Sequence, residues 1–260
     1  MTSTATRFER LSIVYEAPVV LITLSNPPLN IIDIAMMEEL ASVLNEIQSE
    51  SSISTIVFNG AAKCFSAGVD VRAHARETVA SMLEKFHAVV RALVSMRKVT
   101  IAAVHGHCLG GGAELAMVCD FVFTTDDAKW GFPEIQLGCF PPVAATALAA
   151  LVGPKRAAEL ILSGRSISGA EAADIGLAIA AVPDAQLSSV VDQCAAWMAK
   201  LSPVALAVTK KAMYAWDAMH FDKGLARAEK IYLEELVETA DAQEGIRAFL
   251  EKRAPKWTGS

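Results

Sequence analysis

The chain has 260 residues, 53% of them hydrophobic and 20% charged, with a formal net charge of −6. This length suits one large domain or a core with an appended subdomain, and the apolar share can fill a substantial core. The acidic balance, with no basic run longer than Lys210-Lys211, argues against nucleic acid or an anionic membrane as a partner.

No segment reaches the roughly 20 apolar residues that a membrane-spanning helix needs. The longest candidate, Phe140 to Val152, starts with Pro141 and Pro142 and runs into Gly153-Pro154. The opening MTSTATRFER has no apolar signal-peptide core, so a soluble protein is expected. The five cysteines (Cys64, Cys108, Cys119, Cys139, Cys194) are odd in number and lack metal-like spacing, which predicts reduced thiols and a cytoplasmic location.

Residues 11–25 read as two strands, the second being Val19 to Leu24, stopped by Asn26-Pro27-Pro28 because proline supplies no amide to a ladder. Asp33 then reads as the N-cap of a helix whose stripe is Met37, Leu40, Val43, Leu44 and Ile47. A buried strand follows from Ile53 to Phe58, a second amphipathic helix over 76–97, and a strand from Val99 to Val104. After a glycine triplet, Leu115 to Val118 reads as helical and Phe121 to Thr124 as a strand. Such alternation predicts an α/β core. From about residue 142 the signals are helical: Pro154 suits a first helical position, Ser168 with Glu171 matches a capping box, and Ser202-Pro203 marks another start. The last sixty residues are expected to be mostly helices carrying Trp216, Tyr232, Leu233 and Phe249.

Three segments carry chemistry. In HGHCLGGGAEL, residues 105–115, Gly110, Gly111 and Gly112 let a ligand atom approach the main chain at a helix start, where free amides favour negative charge. Glu114 lies in that first turn. Read alone, the segment is equally an ordinary strand-to-helix turn, and its spacing is not that of a dinucleotide loop. KCFSAGVDV, residues 63–71, offers another glycine-bearing turn after a strand, and WGFPEIQLGCFPP, residues 130–142, places Glu134 in a loop. Each is weak by itself. His105 and His107 have no cysteine or carboxylate at ligand spacing and read as structural, so no metal is expected.

Taken in order and spacing, these segments resemble the crotonase (enoyl-CoA hydratase/isomerase) superfamily over essentially the whole chain. The resemblance implies the ClpP/crotonase-like α/β fold, a spiral of repeated ββα units, with a core over residues 1–200 and a helical trimerisation region over 201–260. It implies an acyl-CoA thioester as substrate, coenzyme A being part of that substrate rather than a cofactor, and a homo-oligomer, either a trimer or a dimer of trimers. CFSAGVDV resembles the first oxyanion-hole loop, which makes Val69 one amide donor and brings the Ala67 backbone to the adenine. The glycine block makes Gly111 the other donor and Glu114 the first catalytic glutamate, and WGFPEIQLG makes Glu134 the second. AFLEKRAPKW resembles the family's tail, where Phe249 and Lys252 correspond to residues lining the CoA site of a neighbouring subunit. Arg72 follows the first loop as a candidate phosphate- or adenine-side contact.

The chemistry agrees. Water addition to a double bond conjugated with a thioester moves charge to the carbonyl oxygen, and loss of one donor amide there typically costs about 3–4 kcal/mol. Two facing carboxylates can divide the work, because repulsion disfavours ionisation of both. By resemblance, Glu134 delivers the proton and Glu114 helps to activate water.

Two departures narrow the expectation. The loop Phe140-Pro141-Pro142 places a proline where many hydratases have a glycine whose amide holds the reacting water. NPPLNII is also shorter than the corresponding loop of short-chain hydratases. The combination looks most like the cyclohexa-1,5-diene-1-carbonyl-CoA hydratases, which form 6-hydroxycyclohex-1-ene-1-carbonyl-CoA. A general 2-enoyl-CoA hydratase, an isomerase or acyl-CoA hydrolase of the same superfamily, and, remotely, a non-catalytic RNA-binding or scaffold protein are the alternatives.

Overall fold

The structure, a computed structural model, describes residues 8–260, apart from the side chains of residues 215–219. The start of the chain and the Trp216 side chain, on both of which the sequence raised expectations, lie outside the described residues.

Strands β1 (Leu11–Glu16) and β2 (Val19–Leu24) form an antiparallel hairpin, and α1 (Ile34–Ser49) follows. The Asp33 carboxylate caps α1 as expected, accepting the Met36 N–H at 2.9 Å. Then come β3 (Thr55–Gly60), α2 (Val79–Ser95), β4 (Val99–Val104), β5 (His107–Leu109) and α3 (Gly111–Met117). β6 (Phe121–Thr125) and β7 (Lys129–Gly131) lead to α4 (Pro142–Val152) and α5 (Pro154–Ser163). β8 (Ser166–Ser168), α6 (Gly169–Asp174), β9 (Ala180–Val182) and α7 (Asp184–Met198) complete the sheet-bearing part. The remaining helices are α8 (Pro203–Ile231) and α9 (Ala240–Leu250), joined through a π-helical turn, Tyr232–Leu236.

The large sheet has the order β1-β2-β3-β4-β6-β9, parallel throughout except for β1. β4 is buried at every position, as a central parallel strand covered on both faces must be. A second sheet, β5-β7-β8, stands apart from it. The bridges Ser66–Cys108 and Ile32–Val69 extend that smaller surface toward the loop after β3. Successive passes thus run from the large sheet to the small one and back through helices, the spiral that the resemblance implied.

One face of the large sheet packs on α1 and α2 through residues such as Ile22, Phe58, Leu40 and Phe86. On the other, α7 places Leu187 and Val191 against Val57, Val99 and Ile101. α7 therefore belongs with the sheet, and every regular element after it is helical. Among the described residues no helix is long and apolar enough to cross a membrane, all five cysteines are free thiols, and no group of side chains has metal-binding geometry.

Two expectations shift. The strand expected over 53–58 lies two residues later, and the helix expected from Leu115 starts at Gly111, inside the glycine triplet itself. The capping box at Ser168 is half formed: Ser168 accepts the Glu171 N–H at 3.1 Å, but the Glu171 carboxylate turns to Arg165 instead.

Candidate active site

The loop after β3 is fixed from below by Asn30, which is fully buried and left-handed at φ 49°. Its side-chain amide donates to the carbonyls of Ala61 and Cys64 at 2.9 and 2.7 Å. Ser66 donates its hydroxyl to the Asn30 carbonyl at 2.7 Å and accepts the Gly68 N–H at 3.1 Å. The Ala67 N–H is spent on the Leu29 carbonyl at 2.9 Å, which leaves its carbonyl as the backbone group able to meet an adenine. NPPLNII, short as it is, is the clamp that shapes this loop.

Against that loop rests the start of α3. A Cβ on Gly111 would lie 2.6 Å from the Val69 side chain and 3.5 Å from its nitrogen, so absence of a side chain is what lets the two segments touch. Gly110 takes φ 50°, a left-handed conformation that favours glycine, and a Cβ there would strike the Glu134 carboxylate at 2.6 Å. Neither the Val69 nor the Gly111 N–H meets an acceptor among the described residues. Two adjacent free amides, one at a helix start, can receive a carbonyl oxygen as it gains charge.

Glu114, 3% exposed, projects from the first turn of α3. Its Oε1 accepts the Val143 and Ala144 N–H groups at 2.9 and 3.0 Å, so it caps α4, a helix that starts at two prolines without a capping side chain of its own. Glu134 sits in the 3-10 turn Pro133–Leu137, and its Oε2 is buried without a partner. Burial raises the Glu114 pKa to about 7 against the pull of its two amides. Burial and then repulsion from Glu114 raise Glu134 to about 8. The amides favour ionisation of Glu114, so the proton shared by the pair at neutral pH resides on Glu134.

Both carboxylates, both free amides, Pro142 and Phe140 line one cavity of about 350 Å³. Position 142 has no N–H, the next two amides of α4 hold Glu114, and the Ala145 N–H donates to the Pro141 carbonyl at 2.8 Å. The helix start therefore presents no amide to a water in the cavity.

The tail closes the far side. Gly245 of α9 packs so tightly that a Cβ would lie 2.1 Å from the Leu137 carbonyl oxygen, which seats α9 on the Glu134 turn. Seated this way, Phe249 lines the cavity of its own chain. Lys252 is not on the wall; the adjacent Arg253 is, though Glu244 and Glu251 hold its guanidinium. Arg72 also lies off the wall, 77% exposed and paired with Asp70 at 2.9 Å. His105 contacts the Ala62 carbonyl, and neither it nor His107 reaches the cavity.

Among the polar residues of this wall that sequence reasoning missed, two carry buried atoms without a partner. His87, on α2, meets Glu229 at 2.6 Å through Nδ1, while its Nε2 is buried without a partner. Tyr232, read only as bulk in the helical tail, also has a buried and unpartnered hydroxyl. Helical spacing marks both as core positions, and nothing in one sequence separates a packed ring from a cavity-lining one.

Comparison with known proteins agrees with this geometry. The family described as "Enoyl-CoA hydratase/isomerase" matches residues 15–260. A probable enoyl-CoA hydratase of Bacillus subtilis (strain 168) is 36% identical over 255 residues, covering 96% of this chain and 98% of the relative. A cyclohexa-1,5-dienecarbonyl-CoA hydratase of Thauera aromatica is 36% identical over 236 residues, covering 90% of each. The crystal structure of an enoyl-CoA hydratase from Mycobacterium avium subsp. paratuberculosis K-10 matches with a TM-score of 0.87 at 26% identity, covering 96% of this chain and 99% of that one.

Proposed function

Because the chain belongs to the enoyl-CoA hydratase/isomerase family and is an enzyme of the hydratase type, we propose that its substrate is cyclohexa-1,5-diene-1-carbonyl-CoA. The observation that carries this reading is the amide-free start of α4 beside a buried glutamate pair. A pocket that holds its water by something other than that backbone amide is suited to a specialised acyl group, and the similarity to the Thauera aromatica relative points the same way.

In the proposed reaction the thioester oxygen sits between the Val69 and Gly111 N–H groups. Ionised Glu114 takes a proton from water as the water oxygen bonds to the ring carbon β to the thioester. Charge spreads through the diene to the thioester oxygen, and Glu134 delivers its proton to the far end of the diene, leaving one conjugated double bond. The net change is one added water, giving 6-hydroxycyclohex-1-ene-1-carbonyl-CoA. The free amides stabilise charge only as it develops, which is where such donors act most strongly. Coenzyme A enters as part of the substrate, and the steps as written need no metal or redox group.

Phe249, Arg253 and the Ala67 carbonyl are proposed to meet the CoA portion, with Phe140, Pro141 and Pro142 shaping the acyl end. A trimer, or a pair of trimers, is also proposed: Val204 and Val208 lie 73% and 62% exposed four residues apart on α8, more apolar surface than a solvated helix face carries. Light scattering on the purified chain tests this, and a monomer would refute it.

The competing reading is a straight-chain 2-enoyl-CoA hydratase, favoured by the similarity to the Bacillus subtilis relative. An activity panel of crotonyl-CoA and the cyclic dienoyl-CoA separates the two. Faster turnover of the cyclic ester supports the proposal; efficient hydration of crotonyl-CoA with the cyclic ester untouched would sink it.

A further inference from the structure

Tyr232 opens the π-helical turn between α8 and α9, where the Val237 N–H donates to the Tyr232 carbonyl at 2.9 Å. Such single wide turns insert an extra residue, change which way the following side chains face, and recur at functional sites. Tyr232 is 2% exposed, yet it lines the cavity that holds Glu114, Glu134 and Pro142. Its ring packs against Phe140 with centroids 5.2 Å apart. The hydroxyl makes no hydrogen bond of regular geometry among the described residues; the polar group beside it is the weakly bonding Cys139 thiol, which itself donates to the Leu137 carbonyl at 3.6 Å. Glu134, another residue of that wall, has its Oε2 buried without a partner as well.

A buried hydroxyl without a partner weakens a fold, and two such atoms at one wall call for a common partner that arrives with the substrate. Burial, with Cys139 and the two glutamates nearby, drives the phenol pKa far above its ordinary value, so the group stays a neutral O–H that can both donate and accept. The start of α4 presents no amide to the cavity, whereas Tyr232 is one of the residues that line it, its hydroxyl buried behind the wall.

We propose that the Tyr232 hydroxyl positions the reacting water beside the glutamate pair, in place of the backbone amide that Pro142 cannot supply. The water donates one O–H to Glu114 and the other to the Tyr232 oxygen, which leaves a lone pair for carbon. The hydroxyl of the product is held by the same group. This inference rests on the hydratase reading and goes beyond it, because it names what holds the nucleophile.

The test compares wild type, Tyr232→Phe and the double variant Tyr232→Phe/Pro142→Ala on crotonyl-CoA and the cyclic dienoyl-CoA. Thermal melting and the affinity for a saturated cyclohexanecarbonyl-CoA are followed alongside. Tyr232→Phe should lower kcat for the accepted ester by about 10- to 100-fold, with saturated-ester affinity within about twofold of wild type. Its Tm should be equal or higher, since the substitution removes an unpartnered polar atom. Pro142→Ala restores an amide at the start of α4, and the double variant should regain roughly 3- to 10-fold over Tyr232→Phe.

A kcat within about twofold of wild type would overturn the proposal, as would a Tm and saturated-ester affinity that fall in step with kcat. A double variant no faster than Tyr232→Phe contradicts the claim that the hydroxyl replaces the amide of residue 142. If wild type hydrates neither ester, the hydratase reading falls and this inference with it. If wild type is active and Tyr232→Phe is unimpaired, only the role of Tyr232 falls.

Discussion

Two buried carboxylate clusters lie at opposite ends of the seven-residue helix α3, and they are built on opposite rules. Just past its C-terminus, Asp120 meets Lys210 at 2.6 Å with side chains only 11% and 9% exposed. There the charges answer each other: Asp120 Oδ2 also accepts the Thr100 N–H and hydroxyl at 2.8 and 3.0 Å, and Lys210 also donates to the Lys98 carbonyl at 2.9 Å. At the N-terminus, Glu114 faces a second glutamate instead of a cation, and Glu134 keeps an oxygen with no partner. A saturated pair of opposite charges ties α8 to β4 and holds the fold. An unsaturated pair of like charges beside free amides costs stability, and a fold keeps such a pair where a reaction uses it.

Breaking each cluster should give opposite results. Glu134→Gln should lower hydration by on the order of 10²- to 10⁴-fold while a saturated acyl-CoA binds as before. Steady-state kinetics and calorimetry check this; a variant with normal turnover removes Glu134 from the mechanism. Lys210→Met leaves Asp120 buried without its counter-charge and should cost about 3–5 kcal/mol of stability in urea unfolding. The kcat of its folded fraction should match wild type.

The pH dependence sharpens the contrast. Work requires one proton on the pair, so kcat/KM should peak between about 7 and 8 and fall about tenfold per pH unit beyond either limb. For stability the sign is also fixed. Both folded pKa values lie above the ordinary glutamate value of 4.5, so the native state binds more protons than the unfolded chain. The contribution of the pair is then full below pH 4.5 and is lost as pH rises through about 7 and 8. Wild type minus Glu134→Gln, in unfolding free energy, should therefore decline over that range; a difference that grows would contradict the raised pKa values. The smallest effect expected is that of Arg72→Ala, whose side chain is solvated and, among the described residues, paired with Asp70: a change in KM of less than about threefold, with kcat unaltered.

Much of this was legible before any coordinates. The spiral core, both glutamates and the two amide donors were what the family resemblance implied, and it rested on three motifs in order and spacing, each of them weak alone. The lost amide at Pro142 was legible too, since proline lacks an N–H wherever it sits. What was not legible depends on contacts distant in sequence. Lys210 reads as half of a small basic run, and only the packing of α8 buries it against Asp120. The use of the next α4 amides by Glu114 spans about thirty residues of chain. The strands β5, β7, β8 and β9 are three residues each, too short for any periodicity to register. That Gly245 lets α9 fold back onto the chain's own site, bringing Phe249 to its wall, is likewise a contact distant in sequence.

The most direct test of the account is to incubate the purified chain with cyclohexa-1,5-diene-1-carbonyl-CoA in ¹⁸O-labelled water and follow the thioester by mass spectrometry. The account predicts a product that has gained one labelled water, with ring and CoA thioester intact, and that Glu134→Gln does not form at a comparable rate. Release of free CoA, a ring-opened acid, or an isomer of unchanged mass would contradict it.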